Sequence, residues 1–476
     1  MSTIRIANGA GFLGDWLDAP RRLVERAQVD YLTIEHLAEL TMSILARQRE
    51  KDPSAGYAED FLTILTSLIP ALQSQPQLKI IANSGGMNPP ACVRAAAKIL
   101  AAANLNEAKI AAITGDDLLP RLPDLLATGC DFKNLDTGEP LAALLNDTAN
   151  SAQADQSKIQ NPKSKIVSAN AYLGARPIAD ALAAGARIVI TGRVADASLT
   201  LGPAMHEFGW AWDDWNKLAA ASAAGHIIEC GAQATGGFSV NWQEYDLADV
   251  GYPIAELSAD GAVTITKPPG SGGAVNLRTI TEQLVYEIGD PAHYLTPDVD
   301  CDFTTISLAE VGADRVAIRG ATGRPATDTY KVSLAYKDGW MAAGQLTVYG
   351  PDCREKAEAC ARVILERCRL AGYELARTQV ELLGFGAGVP GAWFWRKYQT
   401  PGELVLRVAA HDPRREAIEC FTRQFAPLIT SGPAGLAGYA AGRPPIRPVY
   451  AYWPTLVPKS LVPAHIEVHT AQEWTA

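Results

Sequence analysis

Residues 4–15 read IRIANGAGFLGD, a short β-branched run (Ile4–Asn8) that opens directly into Gly9-Ala10-Gly11-Phe12-Leu13-Gly14. A strand feeding a glycine loop is how a parallel sheet hands its chain to a covering helix. The rhythm recurs downstream. Short apolar runs at Asp30–Glu35, Lys79–Asn83, Ile110–Gly115, Ile166–Asn170 and Arg187–Gly192 alternate with helical patterns such as Pro20–Ala27, Leu37–Gln48, Tyr57–Leu72 and Pro90–Ala103. This predicts an α/β domain over residues 1–209, Rossmann-like, with a mostly parallel sheet and helices on both faces. A TIM-like barrel is the alternative, but the βα units fall short of its eight. Asp18, before Ala19-Pro20, has the form of a helix N-cap.

The polar stretch 146–165, NDTANSAQADQSKIQNPKSK, interrupts the pattern and predicts a mobile surface insertion. Residues 210–327, rich in Trp and Gly, are expected to complete the site. Residues 328–476 predict a smaller α+β region with antiparallel strands. Its expected elements are a hairpin turning at Asp338-Gly339, a helix over Arg354–Ala371, strands at Val380–Leu383 and Leu404–Val408, and a helix over Arg414–Ile429. A Pro-rich coil, RPPIRPVYAYWPTLVP, is expected near the end.

The 476 residues carry 42 Lys+Arg against 52 Asp+Glu, a net charge of -10. Phosphate-backbone binding needs a basic surface, so nucleic acid is not an expected partner, and neither is a membrane. No apolar run reaches spanning length, and the N-terminus lacks a basic segment followed by an apolar one. A cytoplasmic location is expected. The eight cysteines contain no CxxC pair. The sequence predicts no metal site.

Several loops could carry chemistry. Gly9, Gly11 and Gly14 match GxGxxG, and Glu35 follows at the distance of a ribose-binding acid. The match leaves three readings open: a dinucleotide loop, a loop for another anion or polar ligand, and a structural turn. Asp15 beside the motif would repel a phosphate, so NAD is not the expected cofactor. Comparable loops end the other strands, with Asn83, Gly85 and Gly86, then Asp116 and Asp117, then Asn170, then Arg193 and Asp196. Ligands of open parallel sheets bind at those carboxyl ends. Together the loops suggest one composite site for a small-molecule substrate. Arg193 would pair with a carboxylate or phosphate, and Asp116, Asp117 or Asp196 would anchor the ligand or act as a base. Further on, His226, Glu229 and Cys230 precede Gly236 and Gly237. His226 and Glu229 could share a helix face, and a histidine neighbour would favour a Cys230 thiolate. A structural role for this set, with a buried cysteine, stands beside the catalytic one, and metal binding is the weakest reading.

Taken together, NGAGFLGD, DYLTIEHLAELTM, NSGGMNPP, TGDDL, NAYLGARPIADAL, TGRVADASLTLGP, ECGAQATGG and GPAGLAGYAAGRP resemble the acyclic terpene utilisation (AtuA) family, from about Ile4 to about Leu461. The resemblance implies a bacterial protein of acyclic terpene or branched-acid catabolism. It implies an enzyme or enzyme subunit acting on an acyl-CoA or carboxylate intermediate. The alternative it leaves is a non-catalytic scaffold of an acyl-CoA carboxylase-type complex. A CoA thioester is then the expected substrate, and a homo-oligomer or carboxylase-type subunit the expected partner. Many relatives carry a further C-terminal module with an ARSGDKG-like motif, which this sequence is expected to lack.

Overall fold

A computed structural model describes residues 2–150, 165–384, 402–438 and 442–476. Its first unit takes in Met1–Ala335 and Tyr452–Ala476, and its second Tyr336–Ala451. The six apolar runs form strands β1 (Thr3–Asn8), β2 (Tyr31–Ile34), β3 (Lys79–Ala82), β4 (Lys109–Thr114), β5 (Ile166–Ala171) and β6 (Ile188–Thr191). All but β5 pair in parallel, in the order β1-β2-β3-β6-β4. Branched residues face one another across this core, as in Ile80↔Ile188 and Ile110↔Ile188. Antiparallel strands then extend both sides. β7 (Ile254–Ser258), β8 (Val263–Thr266), Arg315–Arg319 and Ser307–Gly312 continue from β1, and His465–Thr470 lies on β4. The result is an open, mixed ten-stranded sheet among the described residues. It is not a barrel, and its strand order is not the 3-2-1-4-5-6 of a dinucleotide fold.

Helices cover both faces. They are α1 (Ala19–Arg26), α2 (Glu39–Lys51), α3 (Asp60–Ser74), α4 (Pro89–Ala102), α5 (Leu122–Ala127), α6 (Leu141–Asn150), α7 (Arg176–Ala183), α8 (Ser198–Phe208), α9 (Trp215–Glu229) and α10 (Leu277–Leu284). Alternate strand residues Leu32, Ile34, Ile80, Ile110 and Ile188 share one core with Leu23 of α1, Phe61 and Leu68 of α3 and Val93 of α4. Their neighbours in sequence point the other way, toward the layer in which α7, α8 and α9 pack side by side. None of the described helices is long and apolar enough to cross a membrane.

Four local expectations are corrected. Strand β5 pairs with the strand Thr329–Tyr349 and not with the large sheet. The place it would take is filled, because β6 lies between β3 and β4 and residues 465–470 cover the far side of β4. Asp18 makes no side-chain cap. Its carboxylate instead receives Arg21 at 2.7 Å. No hairpin forms at Asp338-Gly339, since Thr329–Tyr349 is one strand that changes partners along its length, and Gly339 takes φ +81° where an added Cβ would lie 2.6 Å from the Asp412 carbonyl. The Pro-rich tail is a strand, Arg447–Pro458. The insertion expected at 146–165 lies almost wholly outside the described residues.

The second unit holds the expected antiparallel sheet. Strands Arg377–Leu383, Glu403–Asp412, Leu436–Gly438 and residues from Tyr336 to Tyr349 pair antiparallel, backed by helices Cys353–Leu370 and Arg415–Thr422. Cys353, Cys360 and Cys368 are buried along one helix face in that core.

Candidate functional site

The carboxyl end of β1 is organised by Asn8, which is fully buried. Its amide donates to the carbonyls of Ile228 and Glu229, both at 2.7 Å, and its oxygen accepts from the Thr33 hydroxyl at 3.1 Å. The last turn of α9 is thereby fixed to the sheet, because helix-end carbonyls have no partner within the helix. The glycine loop packs on the same point. A Cβ on Gly11 would sit 2.7 Å from the Cys230 carbonyl carbon, and one on Gly9 would sit 3.0 Å from Pro20. The amides of the three motif glycines are already occupied, that of Gly9 by the Thr33 carbonyl at 2.9 Å. Gly11 donates to Asp15 at 2.8 Å and Gly14 to Asp60 at 3.0 Å, while Tyr252 donates to Asp15 at 2.6 Å. A phosphate would have to displace two carboxylates, and α1 starts only at Ala19. Gly9, Gly11, Gly14 and Asp15 therefore build a self-tied loop whose glycine amides are taken and which no helix N-terminus directly follows, unlike a dinucleotide cradle.

Beside it lies a buried cluster of acids around one guanidinium. Arg193, 2% exposed, donates to Asp196 at 2.7 Å and to the Leu37 carbonyl at 3.0 Å, and stacks 4.1 Å over the Tyr172 ring. Glu35 follows β2. One of its oxygens accepts from the Leu37 amide at 2.9 Å and from Asn83, while Oε2 is buried without a partner. Burial pushes the Glu35 carboxyl well above the usual range, Asp196 adds to this, and Arg193 only partly opposes it. Glu229 behaves alike. Burial and then Asp196 raise it well above the ordinary value, and its Oε2 is also unpartnered. Burial thus favours the protonated form of both carboxyls. Asp196 differs, its side chain being 32% exposed, which puts it at the edge of the cluster.

The expected Cys230, His226 and Glu229 set is brought together, but not as a thiolate pair. His226 Nδ1 lies 3.6 Å from a Glu229 oxygen, as the three-residue spacing suggested. Burial lowers the imidazole and raises the carboxyl, so it disfavours the charged form of both partners. The ring is walled by Tyr294 and Phe303, with centroids at 5.3 and 6.0 Å. Burial, then the Glu229 carboxyl, push the Cys230 thiol above its usual value. The electrostatics oppose a nucleophilic Cys230. Gly236, at φ +98°, and Gly237 pack closely on Tyr245 and Ala232, respectively.

The remaining loops brace Arg193. Asp116 is 2% exposed and accepts from the Arg193 amide at 2.9 Å and Asn170 at 2.8 Å. Burial pushes its carboxyl up to about 7. Gly192 makes room for it, since a Cβ there would meet the carboxylate at 2.3 Å. Asp117 pairs with Arg49 at 3.3 Å. Asn83 accepts from the His36 amide at 2.8 Å. Gly85 lets its loop approach the Thr191 carbonyl, and Gly86 packs on Leu45. Asp116, Asn83, Asn170, Gly85 and Gly86 thus support the cluster from behind.

Residue reading overlooked some members. Tyr172, in the quoted NAYLGARP, donates to Glu39 at 2.5 Å beneath Arg193, and Lys331 reaches Glu39 at 3.3 Å. Burial alone would raise Glu39, yet the Tyr172 hydroxyl, Arg193 and Lys331 together hold it at about 2. His36, within IEHL, meets the Ser84 hydroxyl at 2.9 Å. Asn8 had the clearest available signal, an Asn closing a strand before a glycine. Among the described residues, no three His, Cys, Asp or Glu side chains are grouped to hold a metal ion.

A carboxyl whose protonated form is favoured by burial has the chemistry of a general acid. A family model described as acyclic terpene utilisation family protein AtuA matches residues 4–468. No curated protein and no solved structure matches the chain.

Proposed function

The chain belongs to the acyclic terpene utilisation family AtuA, and from that premise we propose that it is an enzyme of that catabolism acting by general acid–base chemistry on an acyl-CoA or carboxylate intermediate. One observation carries this reading: Glu35 and Glu229 are buried, each with an unpartnered oxygen, around an arginine that already has its own counter-ion. Structural carboxylates are normally paired, and perturbed acids cluster where proton transfer is needed. In this reading Glu35 and Glu229 are the proton donors, and Asp196, the most exposed acid of the cluster, is the base. Arg193 fixes Asp196, and Asp116 holds the Arg193 backbone. The second expectation, a scaffold of a carboxylase-type complex, predicts an empty site. Mass spectrometry of small molecules released from protein purified out of native cells separates the two. An acyl thioester or branched acid recovered from the wild type, and absent from Glu229→Ala, is the expected result. A stable protein partner with no bound acyl compound would overturn the enzymatic reading.

A further inference from the structure

The end of the sheet opposite the acid cluster carries a cavity of about 770 Å³, within the size range of small-molecule sites. It lies where three neighbouring strands begin. β3 opens at Lys79, β4 opens at Lys109, and Arg187 comes just before β6. β6 runs between the other two, with Ile188 matched to both Ile80 and Ile110. The three cations, one residue earlier on each chain segment, are therefore in register too. At a strand spacing of about 4.8 Å they make a row about 10 Å long. All three line the cavity, together with Gln77, Asn106 and one acid, Glu107.

The cations are held in place, but only one of them has a bonded counter-ion. Lys79 donates to the Tyr31 hydroxyl at 2.9 Å and pairs with Glu207 at 3.0 Å. Arg187 is fixed by backbone alone. Its Nε donates to the Leu78 carbonyl at 3.2 Å, and its Nη2 to those of Leu72 at 2.5 Å and Gln75 at 3.0 Å, which leaves Nη1 without a partner among the described residues. Lys109 Nζ donates only to the Ala184 carbonyl, at 3.3 Å. Glu473, which feels the Lys109 charge, is itself bonded to the Thr470 amide and hydroxyl. A half-buried guanidinium with no carboxylate is unusual, and more so in a chain of net charge -10. What the row lacks is an anion, and its length exceeds what a single phosphate spans. We infer that this cavity binds a small diphosphate, free or as part of a nucleotide, with Arg187 Nη1 and Lys109 Nζ donating to its oxygens and Lys79 beside them. The inference goes beyond the acid–base reading and does not depend on it.

Calorimetry on the whole chain at low salt, with pyrophosphate, ADP and adenosine as probes, tests this. Pyrophosphate and ADP should each bind saturably at one site, and adenosine should not. Similar affinities for the two would support a site for the free diphosphate, and ADP binding about tenfold or more tighter would support a site for a nucleotide. Lys109 is exposed, so Lys109→Gln should leave the fold intact and weaken both probes about tenfold, the effect of losing one charged hydrogen bond. Lys109→Arg should restore most of that loss. Lys133→Gln removes an exposed lysine outside the cavity and should leave binding within about twofold. Absence of saturable binding by both pyrophosphate and ADP, adenosine binding as tightly as ADP, or equal losses in Lys109→Gln and Lys133→Gln would each overturn the inference, and none of these results bears on the acid cluster.

Discussion

Replacing Asp116 with Asn should make the protein respond less to pH, in a direction the structure fixes. In the native chain the Asp116 carboxyl is buried and titrates at about 7, because desolvation outweighs the hydrogen bonds from the Arg193 amide and Asn170. Unfolded, it returns to its ordinary 3.8. Below that value both states are protonated and Asp116 contributes nothing to the pH dependence. Between 3.8 and about 7 the native state holds a proton that the unfolded chain releases, so stability falls as pH rises. Above about 7 both states are ionised and the whole cost is present. At about 1.4 kcal/mol per pH unit the full effect is about 4 kcal/mol. Asn at 116 keeps one oxygen for both donors and carries no charge. Urea unfolding of wild type and Asp116→Asn across this range measures the difference directly. The variant should gain on the wild type by up to about 4 kcal/mol as pH rises and then level off. Parallel stability curves would refute the reasoning, because they would mean that Asp116 is ionised in the native state at no cost.

His36 has the opposite sign: burial lowers it from 6.5 to about 4, so the unfolded chain gains a proton that the native one refuses as pH falls through that window, and His36→Gln should flatten the acid side of the stability curve. Gly11→Ala should cost about 1–3 kcal/mol through collision with the Cys230 backbone, whereas Gly14→Ala, which meets nothing closer than 4.0 Å but sits at φ +97°, should cost about 1–2 kcal/mol from backbone strain alone. Thermal melts of the two variants separate crowding from strain. Asn8→Ala strands two helix-end carbonyls and should lose about 2–4 kcal/mol in denaturant unfolding; a neutral outcome would remove Asn8 as the anchor of α9. Iodoacetamide near neutral pH should alkylate Cys230 no faster than the half-buried Cys130, and selective labelling of Cys230 would show that its thiol is not held up as burial and Glu229 dictate.

What could be read in the sequence followed from local periodicity. The five parallel strands carry their own apolar runs, and α4 and the helix Cys353–Leu370 carry their own amphipathic faces. The strand order did not follow, because β6 enters between β3 and β4 through contacts more than seventy residues apart in the chain. The C-terminal strand His465–Thr470 is a plainer case, since nothing near it in sequence indicates that it will pair with Lys109–Thr114. At Asp338-Gly339 the turn composition was present, but the strand Thr329–Tyr349 runs on through it and pairs with Glu403–Asp412 from Trp340 onward. The glycine loop was found at the right residues, but the spacing alone left its three readings open. Its spacing is that of a phosphate loop, but whether Asp15 and Asp60 occupy the amides depends on three-dimensional contact. Cys230 shows the same limit. The three-residue step from His226 to Glu229 gave their contact, but a thiol's charge state is set by burial, which spacing does not encode. Tyr172 and Asn8 sat inside quoted motifs, and only their contacts with Arg193 and α9 reveal what they do.

The central claim is that Glu35 and Glu229 are neutral carboxyls at neutral pH. Infrared difference spectra of wild type against Glu35→Gln and against Glu229→Gln, at neutral pH in H₂O and D₂O, test it most directly. Loss of a protonated-carboxyl C=O band in each variant, shifting with deuteration in the wild type, is the predicted result. Loss only of ionised-carboxylate bands in both variants would contradict it and remove the acid–base pair from the site.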